Sequence, residues 1–331
     1  MTHGYHAVTI ARVIPEAADA ATFVVDAPFT YDAGQFLTFR VHVAGAPHVR
    51  CYSMSSSPAV DDELRVTVKR VPGGIVSNWM IDTLRAGDEV EAQAPAGFFR
   101  LTGTENDLVL FAAGSGITPV FSLLKTALAT TDRRVRLLYA NRDRDSVIFA
   151  GELDALVDKY GDRIDVVHRL DVEHGYVDAG AVAPFADDTG GEFYVCGPTP
   201  FMDVVQHALL ARGVGAGRIH IERFTPADDL VDASPDPTAT APATVTIELA
   251  GKRGTTEHRA GTTILQTARE LGMSPPFSCE SGSCATCMAR LVDGDVSMRV
   301  NNALLPDEVD DGWILTCQAV PASPSVHVVY E

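Results

Sequence analysis

The chain has 331 residues, of which 46% are hydrophobic and 21% charged, as in a globular protein large enough for two or three domains. Its formal net charge of −18 argues against nucleic-acid binding, which needs a basic face; the acidity suits either a cationic partner or simple solubility. The sequence shows neither a run of about 18–20 apolar residues nor a secretory signal pattern. We therefore expect a cytoplasmic protein without a membrane span.

The first third of the sequence predicts an antiparallel barrel. Residues 6–71 contain five short β-rich segments separated by turns, namely HAVTIARV, ATFVVDA, QFLTFRVHV, RCYSMSS and ELRVTVKRV. The fourth contains the pattern Arg50-x-Tyr52-Ser53-x-Ser55, and the fifth is followed by Gly73-Gly74-Ile75-Val76-Ser77. Taken alone, Arg50 could be an exposed strand charge and Tyr52 an ordinary sheet aromatic.

From Asp107 onwards strands alternate with helices, which predicts a parallel α/β sheet. The strand DLVLFAA leads into Gly114-Ser115-Gly116-Ile117-Thr118-Pro119 and then into an apolar helix. A glycine turn at a helix N-terminus lets a pyrophosphate approach the backbone N–H groups. Pro119 replaces the final small residue of the common dinucleotide-binding pattern, so an ordinary Rossmann dehydrogenase is not expected.

Residues 226–243 are rich in Pro, Ala, Thr and Asp, which predicts an interdomain linker. Beyond it, three cysteines have the spacing C-x4-C-x2-C and a fourth follows thirty positions later. This spacing is typical of plant-type [2Fe-2S] ferredoxins. A zinc site or unrelated buried thiols are the alternatives, although zinc sites usually pair two C-x2-C motifs. The expected cluster ligands are Cys279, Cys284, Cys287 and Cys317.

Four motifs that precede the predicted linker resemble those of the ferredoxin–NADP reductase superfamily. The R-x-Y-S-x-S strand and the GGIVS turn are similar to the flavin site of that superfamily. The GSGITP turn and the later Cys-Gly-Pro turn are similar to its nicotinamide site. The resemblance implies that Arg50 neutralises flavin phosphates, Tyr52 packs along the flavin, and Ser53 hydrogen-bonds the ring edge. It also implies cofactor-binding roles for Ser55, Gly73, Gly74, Ser77, Gly114, Gly116, Thr118, Pro119, Gly197, Pro198, Phe201 and Met202.

The same resemblance implies three catalytic residues, Ser53, Cys196 and Glu222. Cys196 would lie beside the nicotinamide carbon that carries the hydride, and Glu222 in the neighbouring polar network. Phe224 would pack against the flavin, with packing in the protein core as the alternative. For Glu222 a surface or capping role is equally open.

The choice of nucleotide is expected to depend on residues after the second parallel strand. An acidic residue there favours NADH and a basic cluster accommodates NADPH, whereas Asn141, Arg142 and Arg144 belong to a mixed NRDRD run. We expect NADH, because the wider resemblance points to it, but the run permits either nucleotide. FAD is preferred over FMN because YSMSSSP resembles the FAD-binding branch.

The module order flavin, nicotinamide, ferredoxin resembles the reductase components of bacterial multicomponent oxygenases, and RCYSMSSSP, LVLFAAGSGITPV and YVCGPTPFMD are most similar to reductases of 3-ketosteroid 9α-hydroxylases. This implies a multidomain protein with a barrel flavin domain at 1–103, an α/β nicotinamide domain at 104–225, a linker at 226–243 and an α+β, β-grasp-like ferredoxin domain at 244–331.

The implied partner of such a reductase is a terminal oxygenase, of Rieske type if the steroid resemblance holds. Reductases of phenylacetyl-CoA epoxidases share the same module order. A redox sensor and a stand-alone electron-transfer reductase are further alternatives.

Overall fold

The computed structural model describes residues 5–186, 190–224, 243–273, 275–277, 282, 285–301, 304 and 306–330. The chain divides into two compact units, Met1–Phe224 and Thr225–Glu331. The linker predicted at 226–243 lies, except for its last residue, outside the described residues. No helix in the described part of the chain has the length and hydrophobicity needed to cross a membrane.

The first six strands of the first unit form an antiparallel sheet in the order β4-β3-β6-β1-β2-β5. A bridge between Met54, just beyond β4, and Val66 in β5 joins the two edges, so the sheet closes into the predicted barrel. Fully buried side chains such as Phe23 and Phe39 fill its interior. The elements are β1 (His6–Ala17), β2 (Ala20–Asp26), β3 (Phe36–Val43), β4 (Ala46–Ser53), β5 (Leu64–Lys69), α1 (Ile75–Thr83) and β6 (Glu89–Ala92).

The second half of this unit holds a parallel sheet in the order β11-β10-β7-β8-β9, flanked by helices. Its central strand LVLFAA is buried throughout, as expected for a parallel strand covered on both faces. The elements are β7 (Leu108–Ala113), α2 (Ile117–Thr130), β8 (Val135–Asn141), α3 (Ala150–Tyr160), β9 (Ile164–Leu170), α4 (Asp171–His174), α5 (Ala179–Ala186), β10 (Glu192–Gly197), α6 (Thr199–Ala211) and β11 (Ile219–Arg223).

The strand order reverses between β7 and β10, because the chain moves from β7 towards β9 on one side and from β10 to β11 on the other. Ligands of open α/β sheets bind at the carboxyl ends of the strands where the order reverses. This edge of the sheet carries the GSGITP and Cys-Gly-Pro motifs.

The second unit has a five-stranded sheet in the order β13-β12-β18-β14-β16 and a separate β15-β17 pair. Its first strand pairs in parallel with its last, which is the predicted β-grasp arrangement. Helix α7 begins with a capping box between Thr263 and Gln266 and packs Ile264 and Ala268 into the core of the unit. The elements are β12 (Thr244–Leu249), β13 (Lys252–Glu257), α7 (Ile264–Glu270), β14 (Met288–Asp293), β15 (Val296–Met298), α8 (Pro306–Asp310), β16 (Trp313–Leu315), β17 (Ala319–Pro321) and β18 (Ser325–Tyr330).

Candidate functional site

Strand β4 carries the polar residues of the predicted flavin site. Its last residue, Ser53, is 3% exposed, and its hydroxyl has no hydrogen-bond partner among the described residues. A buried hydroxyl without a partner costs free energy, so Ser53 fits the polar edge of a bound ring system. Arg50 is half-buried and donates to the Val49 carbonyl at 2.8 Å. Burial raises the pKa of Tyr52, which keeps its hydroxyl neutral.

The glycine turn before α1 can receive a phosphate. Gly73 has a positive φ of 73°, which favours glycine, and Gly74 is an N-cap without a side chain to satisfy the first N–H groups of the helix. The Ser77 hydroxyl accepts the Val71 N–H at 3.1 Å and so retains its own proton for a ligand.

The GSGITP turn and the Cys-Gly-Pro turn touch through their backbones. A Cβ atom added to Gly116 would lie 2.1 Å from the Cys196 carbonyl oxygen and 2.6 Å from the Gly197 nitrogen. One added to Gly197 would lie 2.9 Å from the Ala113 Cβ. Only glycine fits these positions. The two motifs that sequence similarity linked are therefore neighbours at the point where the strand order reverses.

A cavity of 510 Å³ opens at this edge of the sheet, which is the size of a small-molecule site. Five predicted residues line it: Gly114, Asn141, Arg142, Pro198 and Phe201. Eight further lining residues were missed by the sequence analysis, among them Lys69, Asp171, Tyr176 and Pro200. Asp171 could have been found, because it follows the third parallel strand just as Asn141 ends the second.

The polar groups of the cavity come from three strand ends. Asn141 is buried, and its amide atoms form no hydrogen bond of normal geometry with the described part of the chain. Arg142 is largely exposed and donates to its neighbour Asp143 at 2.8 Å. Desolvation raises the pKa of Asp171. Lys69 reaches the cavity from the barrel and lies 3.8 Å from an Asp19 carboxylate oxygen.

Cys196 and Glu222 are in register on neighbouring strands. Cys196 is fully buried and does not line the cavity; burial, and secondarily the Glu222 carboxylate, raises the pKa of its thiol. Glu222 is partly exposed, but its Oε2 is shielded and lacks a hydrogen-bond partner in the described ranges. This desolvation raises the pKa of Glu222 to about 8, which favours the protonated carboxyl group at neutral pH.

Several predicted residues are buried or bonded within the fold near the candidate sites. Ser55 bonds the Thr67 hydroxyl at 2.7 Å inside the barrel, Thr118 donates to the Ser115 carbonyl at 3.0 Å, and Pro119 and Met202 are buried in α2 and α6. Phe224, which follows β11, is 39% exposed. Their roles towards the cofactors stay predictions.

The second unit brings two of the predicted cluster ligands together. Cys287 and Cys317 are both buried, belong to one small core cluster and form no disulfide. The Gln318 amide donates to the Cys317 sulfur at 3.7 Å, a contact that favours a thiolate ligand. Cys279 and Cys284 lie outside the described residues.

A chain of buried hydrogen bonds connects the two cysteine segments to the last strand. The Tyr330 hydroxyl donates to Thr316 Oγ1 at 2.9 Å, and Thr316 Oγ1 donates to the Cys287 carbonyl at 2.7 Å. In the segment between the first two cysteines, Gly282 has a φ of 76°, and a Cβ there would lie 2.7 Å from the Val300 carbonyl oxygen. Buried thiols, donors to sulfur and a closely packed backbone fit an iron–sulfur cluster.

Three family models match consecutive parts of the chain: an oxidoreductase FAD-binding domain at residues 10–101, an oxidoreductase NAD-binding domain at 110–207 and a 2Fe-2S iron-sulfur cluster binding domain at 247–322. The ferredoxin reductase component of 3-ketosteroid-9-alpha-monooxygenase from Mycolicibacterium smegmatis is 41% identical, over 97% of this chain and 96% of its own. The chain belongs to the family of monooxygenase reductase components with FAD, NAD and 2Fe-2S domains.

Two other proteins match over nearly their full lengths. A component of the 1,2-phenylacetyl-CoA epoxidase from Escherichia coli is 31% identical over 99% of this chain and 98% of its own. The structure of phthalate dioxygenase reductase superposes with a TM-score of 0.62 at 26% identity, covering 99% of this chain and 98% of that one. The protein is therefore a flavin iron–sulfur oxidoreductase, and the predicted fold class and cofactor classes are confirmed.

Different residues of this reductase are placed to bind different cofactors. FAD, when bound, supplies the exchange of one electron pair for two single electrons, and the cluster supplies acceptance of one electron. Ser53 can donate to or accept from the ring edge, and Arg50 can neutralise phosphate. Gly116 and Gly197 keep this edge of the sheet free of side chains, and Cys287 and Cys317 would supply two of the sulfur ligands.

Proposed function

We propose that this protein is the NADH-dependent reductase component of a 3-ketosteroid 9α-monooxygenase system and delivers electrons to its terminal oxygenase. The observation that carries the proposal is the 41% identity to the Mycolicibacterium smegmatis component over nearly the whole of both chains. The cavity at the strand-order reversal is lined by the buried Asn141 amide, which forms no hydrogen bond of normal geometry with the described residues, and this supports a dinucleotide site. The chain itself need never touch the organic substrate.

A reductase of a di-iron epoxidase is the second candidate. It is favoured by the full-length match to the epoxidase component, at the lower identity of 31%. The two candidates differ in the terminal oxygenase that accepts the electrons, and so only a reconstituted system separates them.

NADH is the proposed electron donor. Asp171 places a carboxylate in the cavity, and the Arg142 guanidinium is bonded to Asp143. A carboxylate accepts hydrogen bonds from ribose hydroxyls but repels a 2′-phosphate. Asp171→Asn should therefore lower the dissociation constant for NADPH by roughly tenfold or less and raise the dissociation constant for NADH. Equal changes in the dissociation constants for NADH and NADPH, measured by anaerobic titration, would contradict the role of Asp171 in selecting NADH.

The first experiment is an anaerobic titration of the purified protein with NADH and then NADPH, followed by absorbance and low-temperature EPR. Bleaching of the flavin with a rhombic one-electron [2Fe-2S] signal is expected with NADH. Absence of reduction by either nucleotide would contradict the reductase role and favour a sensor. Turnover is then compared with purified oxygenase components of a steroid monooxygenase and of a phenylacetyl-CoA epoxidase; faster coupling to the epoxidase would favour the second candidate.

A further inference from the structure

Helix α2 has a polar face that contacts the barrel through buried groups. Ser122, Lys125 and Thr126 have the i, i+3, i+4 spacing of one helix face. Ser122 is fully buried and Lys125 is 8% exposed. Polar groups are rarely desolvated in this way unless each finds a partner, so the partners of this face define how the helix must sit.

All three partners lie in the segment Ser56–Asp61, which follows the flavin strand β4. The Ser122 hydroxyl donates to the Ser56 carbonyl at 2.5 Å. Lys125 forms a buried ion pair with Asp61, whose carboxylate also accepts the Ser57 N–H at 2.6 Å. The Asp61 carboxylate thus stabilises the turn of its own segment and also binds helix α2.

The third contact has a defined direction. Thr126 Oγ1 donates its only proton to the Ser122 carbonyl at 2.9 Å, so in the 2.6 Å contact between Ser57 Oγ and Thr126 Oγ1 the serine is the donor. The Ser57 hydroxyl in turn accepts the Ala59 N–H at 3.3 Å. Every hydroxyl proton in this network has an acceptor, which is the condition under which a buried polar network fixes a single geometry.

These contacts lie between the two candidate sites. Ser122 is five residues beyond the start of α2, or about 8 Å along the helix at 1.5 Å per residue, and the start of α2 directly follows the turn Gly114–Gly116. On the other side, Ser56 is three residues beyond Ser53. The network therefore connects the nicotinamide turn to the flavin strand by a short and rigid route.

We propose that the contacts of Ser122, Lys125 and Thr126 with Ser56–Asp61, the α2 latch, are positioning contacts that set the alignment of nicotinamide and flavin during hydride transfer. This inference rests on the proposed reductase function. Hydride transfer requires the reacting atoms to lie in a narrow range of distances, and small displacements slow it strongly. Loosening the α2 latch then slows the transfer step itself, with little effect on how tightly NADH or FAD binds.

The test compares Thr126→Val with Thr130→Val in the full-length holoprotein. Both remove one threonine hydroxyl from α2, but Thr130 is exposed and donates only within the helix, to the Thr126 carbonyl at 2.8 Å. In stopped-flow reduction with NADH and with 4-deuterated NADH, Thr126→Val should lower the limiting rate of flavin reduction by roughly 5- to 20-fold. The dissociation constant for NADH should change less than about twofold, and the isotope effect should persist. Thr130→Val should match the wild type.

Three further comparisons separate positioning from a loss of stability. Reduction by dithionite needs no aligned nicotinamide, so its rate and the FAD content should be unchanged in Thr126→Val. The double variant Ser57→Ala with Thr126→Val should be no slower than the slower single variant, because both remove the same contact. Lys125→Arg, which keeps the charge, should retain more of the rate than Lys125→Gln.

Wild-type rates in Thr126→Val and Lys125→Gln would overturn the proposal, as would a slower reduction that simply follows loss of FAD or a lower melting temperature. Failure of the wild type to be reduced by either nucleotide would instead refute the proposed reductase function, so the two failures are distinguishable.

Discussion

At the scale of single residues, Gly116 shows why the nicotinamide turn requires glycine. The clash that a Cβ would create involves backbone atoms of Cys196 and Gly197, which cannot move aside like a flexible side chain. Sequence similarity had linked glycine to the approach of a pyrophosphate, whereas the structure adds a second reason, the packing of one turn on another.

Gly116→Ala is expected to destabilise the protein by about 1–3 kcal/mol, as overpacking does, and to reduce NADH-driven flavin reduction more than dithionite-driven reduction. Gly151, in α3, has open space around an added Cβ, and Gly151→Ala should be neutral or slightly stabilising. Urea denaturation and stopped-flow reduction measure the two effects. Equal stability and equal reduction rates in the two variants would show that the turn can accommodate a Cβ atom at Gly116.

The raised pKa of Glu222 predicts a pH-dependent stability. Its pKa is about 8 in the folded state and 4.5 ordinarily, so the folded state holds a proton that the unfolded state releases as the pH rises from about 4.5 to 8. The free energy of unfolding should fall across this window and level off above pH 8. Each unit of pKa is worth at most about 1.4 kcal/mol, and the partial exposure of Glu222 lowers that figure.

Glu222→Gln should remove this part of the pH dependence. Denaturation midpoints at pH 5, 7 and 9 would reveal it as a smaller decline than in the wild type. Parallel curves for wild type and variant would mean that Glu222 titrates normally.

At the scale of elements, the sequence predicted the strands and helices that have strong periodicity and missed those without it. The five β-rich segments of the barrel and the alternating pattern after Asp107 appear as predicted. The four-residue strand β6 and helix α5, which contains Pro184, were not anticipated, because a short strand and a helix interrupted by proline give weak local signals.

The residues of the candidate site could be predicted only in part from the sequence. Motif residues such as Gly114 and Asn141 were found, whereas Lys69 reaches the cavity from the end of a barrel strand. Its contribution depends on how the barrel meets the parallel sheet, which periodicity does not encode. The Cys196 side chain is completely buried, which also fits an ordinary buried thiol at a strand end, so its position beside the nicotinamide stays a prediction.

Within the second unit, the Thr316 hydroxyl couples Tyr330 to the Cys287 segment. Thr316→Val would leave the buried Tyr330 hydroxyl without this acceptor, and should destabilise the unit by about 1–3 kcal/mol with faster loss of iron. Thr246→Val is the matched control, because Thr246 bonds Thr255 at 3.0 Å on the exposed side of the same sheet. Thermal melting followed by visible absorbance would show the difference; identical melting of both variants would contradict it.

At the scale of the whole molecule, the net charge of −18 predicts how the protein meets its electron acceptor. Association with a basic partner surface should be steered by charge and should weaken as salt shortens the screening length. Raising the salt concentration from about 50 to about 300 mM should slow coupled oxygenase turnover several-fold. NADH-driven reduction of a neutral quinone, which needs no charged docking, is the control; equal salt effects on both would argue against steering.

The linker predicted at residues 226–243 leads to a second prediction. Its composition predicts an interdomain linker, so shortening it should slow electron delivery to the partner and leave flavin reduction by NADH intact. Stopped-flow and coupled turnover measure the two steps separately. Unchanged coupled turnover would count against a role of the linker in delivery.

The sheet of the second unit also bears on how this protein matures. Strand β18 lies between β12 and β14, although it follows every other strand of the sheet in sequence. During synthesis the hairpin of β12 and β13 can form early, but it cannot join β14 and β16 until β18 has left the ribosome. Tyr330, the last member of the hydrogen-bond chain to Cys287, lies on that strand. The first unit can fold during translation, whereas the sheet that carries the cysteine pocket can close only after β18 has been synthesised.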